Sequence, residues 1–223
     1  SLAESIESFA TTFNNAQIIA FSGGFSAGDE PNGSAKFIVN VLKNEQIKNS
    51  IHQFLSKGGL MLGICNGFQA LIKSGLLPYG EVKNTTKESP TLTFNTIGRH
   101  ISQMATVKVV NDNSPWLQGM KNQEYIIPFS HGEGRFYACN ETMNGLIQAE
   151  QIATQYINTI GVATEEFPFN PNGSLFGVEG IINSTGNIFG RMGHPERFKK
   201  DRFKNIPDMI YHNIFKNGVN YFK

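Results

Sequence analysis

Cys65 stands in Gly63-Ile64-Cys65-Asn66-Gly67, after the apolar run 60–64 and ahead of Phe68, Leu71 and Ile72, which have helical spacing. A strand that turns sharply into a helix exposes the side chain at its tip and aims the helix N-terminus at it. Glycines two residues to either side permit the close approach such a turn needs. The partial positive charge at a helix start favours a thiolate, and free N–H groups there are able to hold an oxyanion. The pentapeptide alone fits a small buried thiol equally well.

A thiol nucleophile needs a base and a group that orients the base. Five histidines are available. His52 falls in a polar helical stretch, His100 in a loop, and His212 on the last helical segment, where packing or surface explains them. His131 lies in Ser130-His131-Gly132-Glu133-Gly134-Arg135, a glycine-flanked loop that suits backbone contacts to a ligand. His194, in Met192-Gly193-His194-Pro195-Glu196-Arg197, directly follows the last strand, where an α/β sheet displays catalytic groups. Glu196 is placed to orient its imidazole, though a turn with an incidental His–Glu pair has the same sequence. A further turn, Ser22-Gly23-Gly24-Phe25-Ser26, follows the strand 18–21. If strands 18–21 and 60–64 are neighbours, the Gly24 N–H lies beside Cys65 as an oxyanion donor. Neither G-x-x-x-x-G-K-[ST] nor G-x-G-x-x-G occurs, so no phosphate loop is expected.

The elements that must position these groups alternate in the first third: helix, strand 18–21, two helical stretches after Ser34 (which reads as a cap), strand 60–64, helix. That alternation predicts an α/β fold with an open, mostly parallel sheet flanked by helices. Strands at 91–94, 106–110, 125–129, 152–156, 175–182 and 188–192 follow, with 183–187 as a hairpin loop and helix returning only near 209–215. The chain has 223 residues, 39% hydrophobic, enough for one domain with its own core. A net charge of +1 leaves no electrostatic footprint for nucleic acid or an anionic membrane. No apolar run approaches the ~18–20 residues that span a bilayer. The two cysteines, Cys65 and Cys139, make no disulfide framework, and a reducing cytoplasm is the expected compartment. No metal-ligand spacing is found.

Taken in order, the glycine turn, G-x-C-x-G-x-Q with Cys65 and Gln69, and the distant His194-Pro195-Glu196 resemble the class I (triad) glutamine amidotransferases. Within them, Gly23 to Ser26 with Gly28-Asp29, Cys65-Asn66-Gly67-Phe68-Gln69, the 130–135 run, Asn170-Pro171-Asn172-Gly173-Ser174 and His194-Pro195-Glu196-Arg197 look like the glutaminase domains of phosphoribosylformylglycinamidine synthases. The resemblance implies a flavodoxin-like sheet with extra β-hairpin strands in the second half. It implies a triad of Cys65, His194 and Glu196 and an oxyanion hole of Gly24 and Asn66. Glutamine would be held by Phe25, Gln69, Ser130, His131 and Gly132. For Arg135 and Arg197, loop support and contact with a synthetase stay open. The resemblance also implies that residues 1–223 are one glutaminase domain, a C-terminal piece of a single-chain synthase that lacks the family's first strand. Its partner would be the synthetase domain of the same enzyme, where ATP and magnesium belong; no cofactor is implied here. Two rivals are another cysteine hydrolase on a similar sheet and a non-catalytic interaction domain. The first usually places a histidine soon after its cysteine, whereas here none occurs before His100. The second would be expected to lose a triad member.

Overall fold

The computed structural model describes residues 1–25, 34–199, 202–206 and 209–223. Ser26, Gly28 and Asp29 of the sequence motifs lie outside the described residues. The first part runs α1 (Leu2–Asn15), β1 (Ile18–Phe21), α2 (Lys36–Leu42), α3 (Glu45–Ser56), β2 (Leu60–Ile64) and α4 (Asn66–Lys73), then a short turn α5 (Leu76–Tyr79). Helix α1 starts on a capping box, with Ser1 and Glu4 satisfying each other's backbone N–H groups. The second part holds β3 (Thr91–Phe94), β4 (Ile101–Val109), β5 (Glu124–His131), β6 (Glu133–Tyr137), α6 (Asn140–Gln148), β7 (Ile152–Tyr156), β8 (Val178–Ile182), β9 (Ile188–Arg191) and α7 (Ile214–Asn220).

Seven strands form one sheet in the order β1-β2-β9-β8-β7-β4-β5, and β3 pairs with β6 in a separate antiparallel ribbon. The expected parallel sheet is found at its start, where β1, β2 and β9 run parallel. The second-half strands join the same sheet antiparallel, so four of its pairings are antiparallel and two parallel. Every residue of β2, β8 and β9 is buried, so the centre of the sheet is covered on both faces. This explains the unbroken apolar run in β2, which alternation would have replaced had one face met water.

Three parallel strands end at one edge. Phe21 pairs with Gly63, and Ile64 with Arg191. The turns that follow carry Gly23-Gly24, Cys65 and His194, so the register alone gathers the sequence-predicted groups, at the carboxyl ends where open α/β sheets bind ligands.

The strand expectations hold at 91–94 and 152–156, and the 183–187 loop does join an antiparallel hairpin. Other elements differ. Residues 175–177 form a 3-10 turn, and β8 begins at Val178. Ser34 does not cap α2; Ala35 precedes it in a left-handed conformation, and the Ser34 hydroxyl donates to Glu133 Oε2 at 3.0 Å. The last helix begins at Ile214 instead of 209. Strand β6 and helix α6 were not expected at all. In α6 only Met143 and Leu146 are buried, too few apolar positions to mark a period, and β6 is a glycine-containing segment whose order comes from pairing with β3.

Close packing at Gly67 fixes how α4 leaves the sheet. A Cβ there would sit 2.1 Å from the Phe21 carbonyl oxygen, a backbone atom that cannot step aside. Gly67→Ala should therefore cost about 3 kcal/mol, the upper part of the overpacking range. Gly145→Ala, in α6 with nothing within 4 Å of its added carbon, should instead stabilise by about 0.5–1 kcal/mol. Urea unfolding midpoints of the two variants check both signs.

Candidate active site

Cys65 occupies φ 54°, ψ −107°, a conformation costly for a residue with a side chain. Strain of this kind is worth about 1–3 kcal/mol and persists only when the surroundings enforce it. Here the Cys65 N–H is held by the Arg191 carbonyl at 2.8 Å, and the Cys65 carbonyl accepts the first helical bond from Gln69 N–H at 3.0 Å. The thiol is thereby pointed out of the sheet edge. It donates weakly to the Ser130 carbonyl at 3.8 Å.

The helix-start argument predicts a favoured thiolate, and burial overrides it. Desolvation pushes the Cys65 thiol up to about 11, against the pull of the Asn66 N–H, the Arg197 charge and the Gly24 N–H. Two of those opposing groups are the N–H groups assigned to an oxyanion hole, and both bear on the sulfur. Gly24, at φ +118°, has a conformation that suits glycine, and Gly23 beside it has no room for a side chain. A Cβ at Gly23 would lie 2.6 Å from His194 Cε1 and 3.1 Å from Cys65 Cβ, so the imidazole and the thiol flank the same glycine.

His194 is buried, with its N–H bonded to the Pro128 carbonyl at 3.0 Å. Its Nδ1–H donates to Glu196 Oε1 at 2.6 Å, as the two-residue spacing suggested. That bond leaves Nε2 as the lone-pair nitrogen, the one a base needs. In this structure Arg197 Nη2 donates to it at 3.3 Å. Arg197 is 40% exposed and thus able to move away.

A cavity of about 400 Å³ opens in front of the thiol, lined among others by Gly24, Phe25, Asn66, Gln69, Ser130, His131, Gly132 and Arg197. All the residues assigned to glutamine binding therefore meet in one place. Their contacts divide them. The Gln69 amide nitrogen donates to the Glu133 carbonyl and so braces the wall of the cavity. Phe25 is 88% exposed at its mouth. His131 is buried beneath it. Asn95 Nδ2 donates to the Arg99 and His131 carbonyls, which turns Asn95 Oδ1 toward His131 Nδ1 at 3.1 Å. His131 is thus an Nδ1–H tautomer, and burial, reinforced by the neighbouring His194 and His100, lowers its pKa to about 4. A larger open depression of about 560 Å³ lies at the other end of β2 and β9, around Gly58 and Asn187, away from the thiol.

Several supporting residues escaped the sequence reading. The Asn170–Ser174 turn, legible only as a motif, buttresses β6: Asn172 Nδ2 donates to the Gly134 carbonyl at 2.8 Å, and Ser174 Oγ accepts from Phe136 N–H at 2.9 Å. Asn95, Glu179 and Arg191 carried no local signal, since their partners are distant in the chain. Of the remaining histidines, His52 accepts from Val82 N–H, His100 stands at the cavity mouth, and His212 is buried against Arg191. Among the described residues no cluster of three or more His, Cys, Asp or Glu is placed to hold a metal ion.

An α/β sheet that presents a thiol beside a histidine–carboxylate pair at the ends of its parallel strands has the arrangement of a cysteine-dependent hydrolase. The model of the CobB/CobQ-like glutamine amidotransferase domain matches residues 2–222. The phosphoribosylformylglycinamidine synthase subunit PurQ of Methanococcus maripaludis is 37% identical, over 92% of this chain and 80% of its own length. That of Synechocystis is 36% identical, over 84% and 76%. The structure of PurLQS from Thermotoga maritima superposes with a TM-score of 0.68 at 27% identity, covering 94% of this chain and 81% of the other. The chain belongs to the glutamine amidotransferases, in the family of the PurQ subunit of phosphoribosylformylglycinamidine synthase.

An unfolded histidine titrates near 6.5, whereas folded His131 is held to about 4. Between those values the unfolded chain binds the extra proton, so the stability is present in full above pH 6.5 and is lost as pH falls toward 4. The loss from His131 should reach roughly 3 kcal/mol. Buried His212, also held below its usual value by burial and by Arg191, acts in the same direction. Denaturant unfolding at stepped pH should show this fall, with a shallower slope in His131→Gln.

Proposed function

We propose that this chain hydrolyses the side-chain amide of glutamine at Cys65 and delivers the ammonia to a synthetase. That synthetase converts formylglycinamide ribonucleotide to its amidine, a step of purine biosynthesis, using ATP and magnesium that it holds itself. The observation that carries the catalytic assignment is the packing of Gly23 between Cys65 and His194, with Glu196 bonded to Nδ1 of the imidazole.

On this reading Arg197 releases His194 Nε2 when glutamine enters, and Nε2 takes the Cys65 proton. A thiol held at about 11 makes this transfer the activating event, because little free thiolate exists at neutral pH. The sulfur attacks the amide carbon, and the oxyanion forms against the Gly24 and Asn66 N–H groups. His194 returns the proton to the departing nitrogen, releasing ammonia and leaving a glutamyl thioester. Water, deprotonated by His194, then attacks the thioester, and Cys65 is regenerated as glutamate leaves. Glu196 holds the Nδ1–H throughout, so that Nε2 is the nitrogen that takes up and returns the proton. Ser130, His131 and Gly132 bound the amino-acid end of the substrate, with Phe25 at the mouth and Gln69 holding the wall.

Residues 1–223 would be the glutaminase domain of the synthase, with the synthetase as partner. The relatives are named as subunits of that synthase, which supports a partner for this chain. The cytoplasm is the proposed compartment, where two free cysteines stay reduced. No described helix is long and apolar enough to cross a membrane.

The test uses the chloroketone analogue of glutamine, in which the amide is replaced by a chloromethyl ketone, with the modified residue mapped by mass spectrometry. Stoichiometric labelling at Cys65 that glutamine prevents is the expected outcome. His194→Asn should slow it about a hundredfold or more, the range for a lost general base. Cys139 is the internal control: the Thr142 hydroxyl and the main-chain N–H groups at the start of α6 lower its pKa. A small neutral alkylating agent should therefore prefer Cys139, and the glutamine analogue should reverse that order. Equal reaction of both cysteines with the analogue, unprotected by glutamine, would sink the assignment.

A further inference from the structure

Behind the thiol and the imidazole lies a wholly buried ion pair, Glu179 on β8 and Arg191 on β9. Arg191 Nε donates to Glu179 Oε1 at 3.1 Å and Nη2 to Oε2 at 3.0 Å, a two-pronged contact. Thr154 on β7 donates its hydroxyl to Oε2. The remaining Arg191 nitrogen, Nη1, donates to His212 Nε2 at 2.7 Å. Burying two charges costs several kcal/mol each, and apolar residues of like volume commonly serve stability as well or better. Stability therefore gives no reason for a pair here.

Its connections give one. The Gly193 N–H donates to Glu179 Oε1 at 2.7 Å, and Gly193 immediately precedes His194. A Cβ on Gly193 would stand 2.9 Å from that oxygen and 2.9 Å from Phe129 Cζ, so the loop rests directly on the carboxylate. At the other end, the Arg191 carbonyl is the acceptor of the Cys65 N–H at 2.8 Å. One residue thus holds the backbone of the nucleophile and, through its side chain, the carboxylate that holds the loop of the base.

We propose that Glu179 and Arg191 are positioning residues that set His194 against Cys65, Glu179 acting through its hydrogen bond from Gly193 N–H. The role rests on the reading of Cys65 and His194 as nucleophile and base. The guanidinium compensates the buried carboxylate, and the carboxylate supplies a fixed acceptor at Gly193, next to the point where the Pro128 carbonyl holds His194 N–H. A displacement of about 1 Å between reacting groups is enough to cost up to a hundredfold in rate.

Two paired variants isolate the bond. Glu179→Gln with Arg191→Met removes both charges but keeps an oxygen for Gly193 N–H; Glu179→Leu with Arg191→Met removes that oxygen too. Both leave His212 without its Arg191 donor, so that loss cancels between them. Neither leaves an unpaired buried charge, and both should fold; Glu179→Met with Arg191→Met replaces the leucine pair should it fail. Inactivation of the full chain by the glutamine chloroketone, which joins the Cys65 sulfur to carbon with loss of chloride, gives a maximal rate kinact and a half-saturating concentration KI. The leucine pair should show kinact at least about tenfold below the glutamine pair, with KI unchanged within about twofold, since geometry and not binding is affected. Equal kinact in the two variants, or a change confined to KI, with normal labelling of the unmodified chain, overturns the positioning role alone. Failure of the unmodified chain to react at Cys65 overturns the glutamine reading and this role with it.

Discussion

The parallel pairing of β2 with β9 is the contact on which the site depends. It joins segments far apart in the chain, and its register sets Ile64 opposite Arg191. One residue further on, the ladder ends in a bond from Cys65 N–H to the Arg191 carbonyl, and the strained turn at Cys65 begins there. A slip of one residue would invert the faces of one strand relative to the other. It would turn either Gly63 away from Leu71 or Gly190 away from Phe68 and Leu77, side chains that each admits at close range. The register is thus enforced by the same glycine contacts that shape the thiol turn.

The resting electrostatics follow from depth. Burial raises the Cys65 thiol and keeps His131 neutral, while the partly exposed Arg197 hydrogen-bonds His194 Nε2. The Cys65 thiol is thereby held toward its protonated form. A buried thiol of raised pKa is also slow toward adventitious oxidants, which react with the exposed thiolate form.

Much of the fold could be read without coordinates because its signals were local. Strand β2 was legible as an apolar run closed by glycines, and α3 as a period of Ile47, Ile51, Phe54 and Leu55, the first three buried and Leu55 half-buried. Strands β3 and β7 fell at their sequence-predicted bounds. What was missed had no local signature. Helix α6 contains Gly145 and buries two side chains, so its helicity depends on what it packs against. Strand β6 reads as a glycine loop until β3 supplies its hydrogen bonds. The antiparallel half of the sheet gives a row of strands in sequence but no order among them.

The sequence by itself determined the chemistry on offer: a thiol between glycines, a histidine with a carboxylate two residues on, and a glycine turn, all at the ends of strands. These are short-range features, set by residue type and spacing, and they suffice to name a nucleophile, a base and its orienting group. Only the tertiary structure decided the state of those groups. It decided that burial outweighs the helix start at Cys65, that Arg197 occupies His194 Nε2, and that Gln69 braces a wall. It also set the Glu179 carboxylate against Gly193 N–H, beside His194, and the Arg191 carbonyl against Cys65 N–H. Desolvation and hydrogen bonding depend on what surrounds an atom in space, and residues distant in the chain supply most of those surroundings.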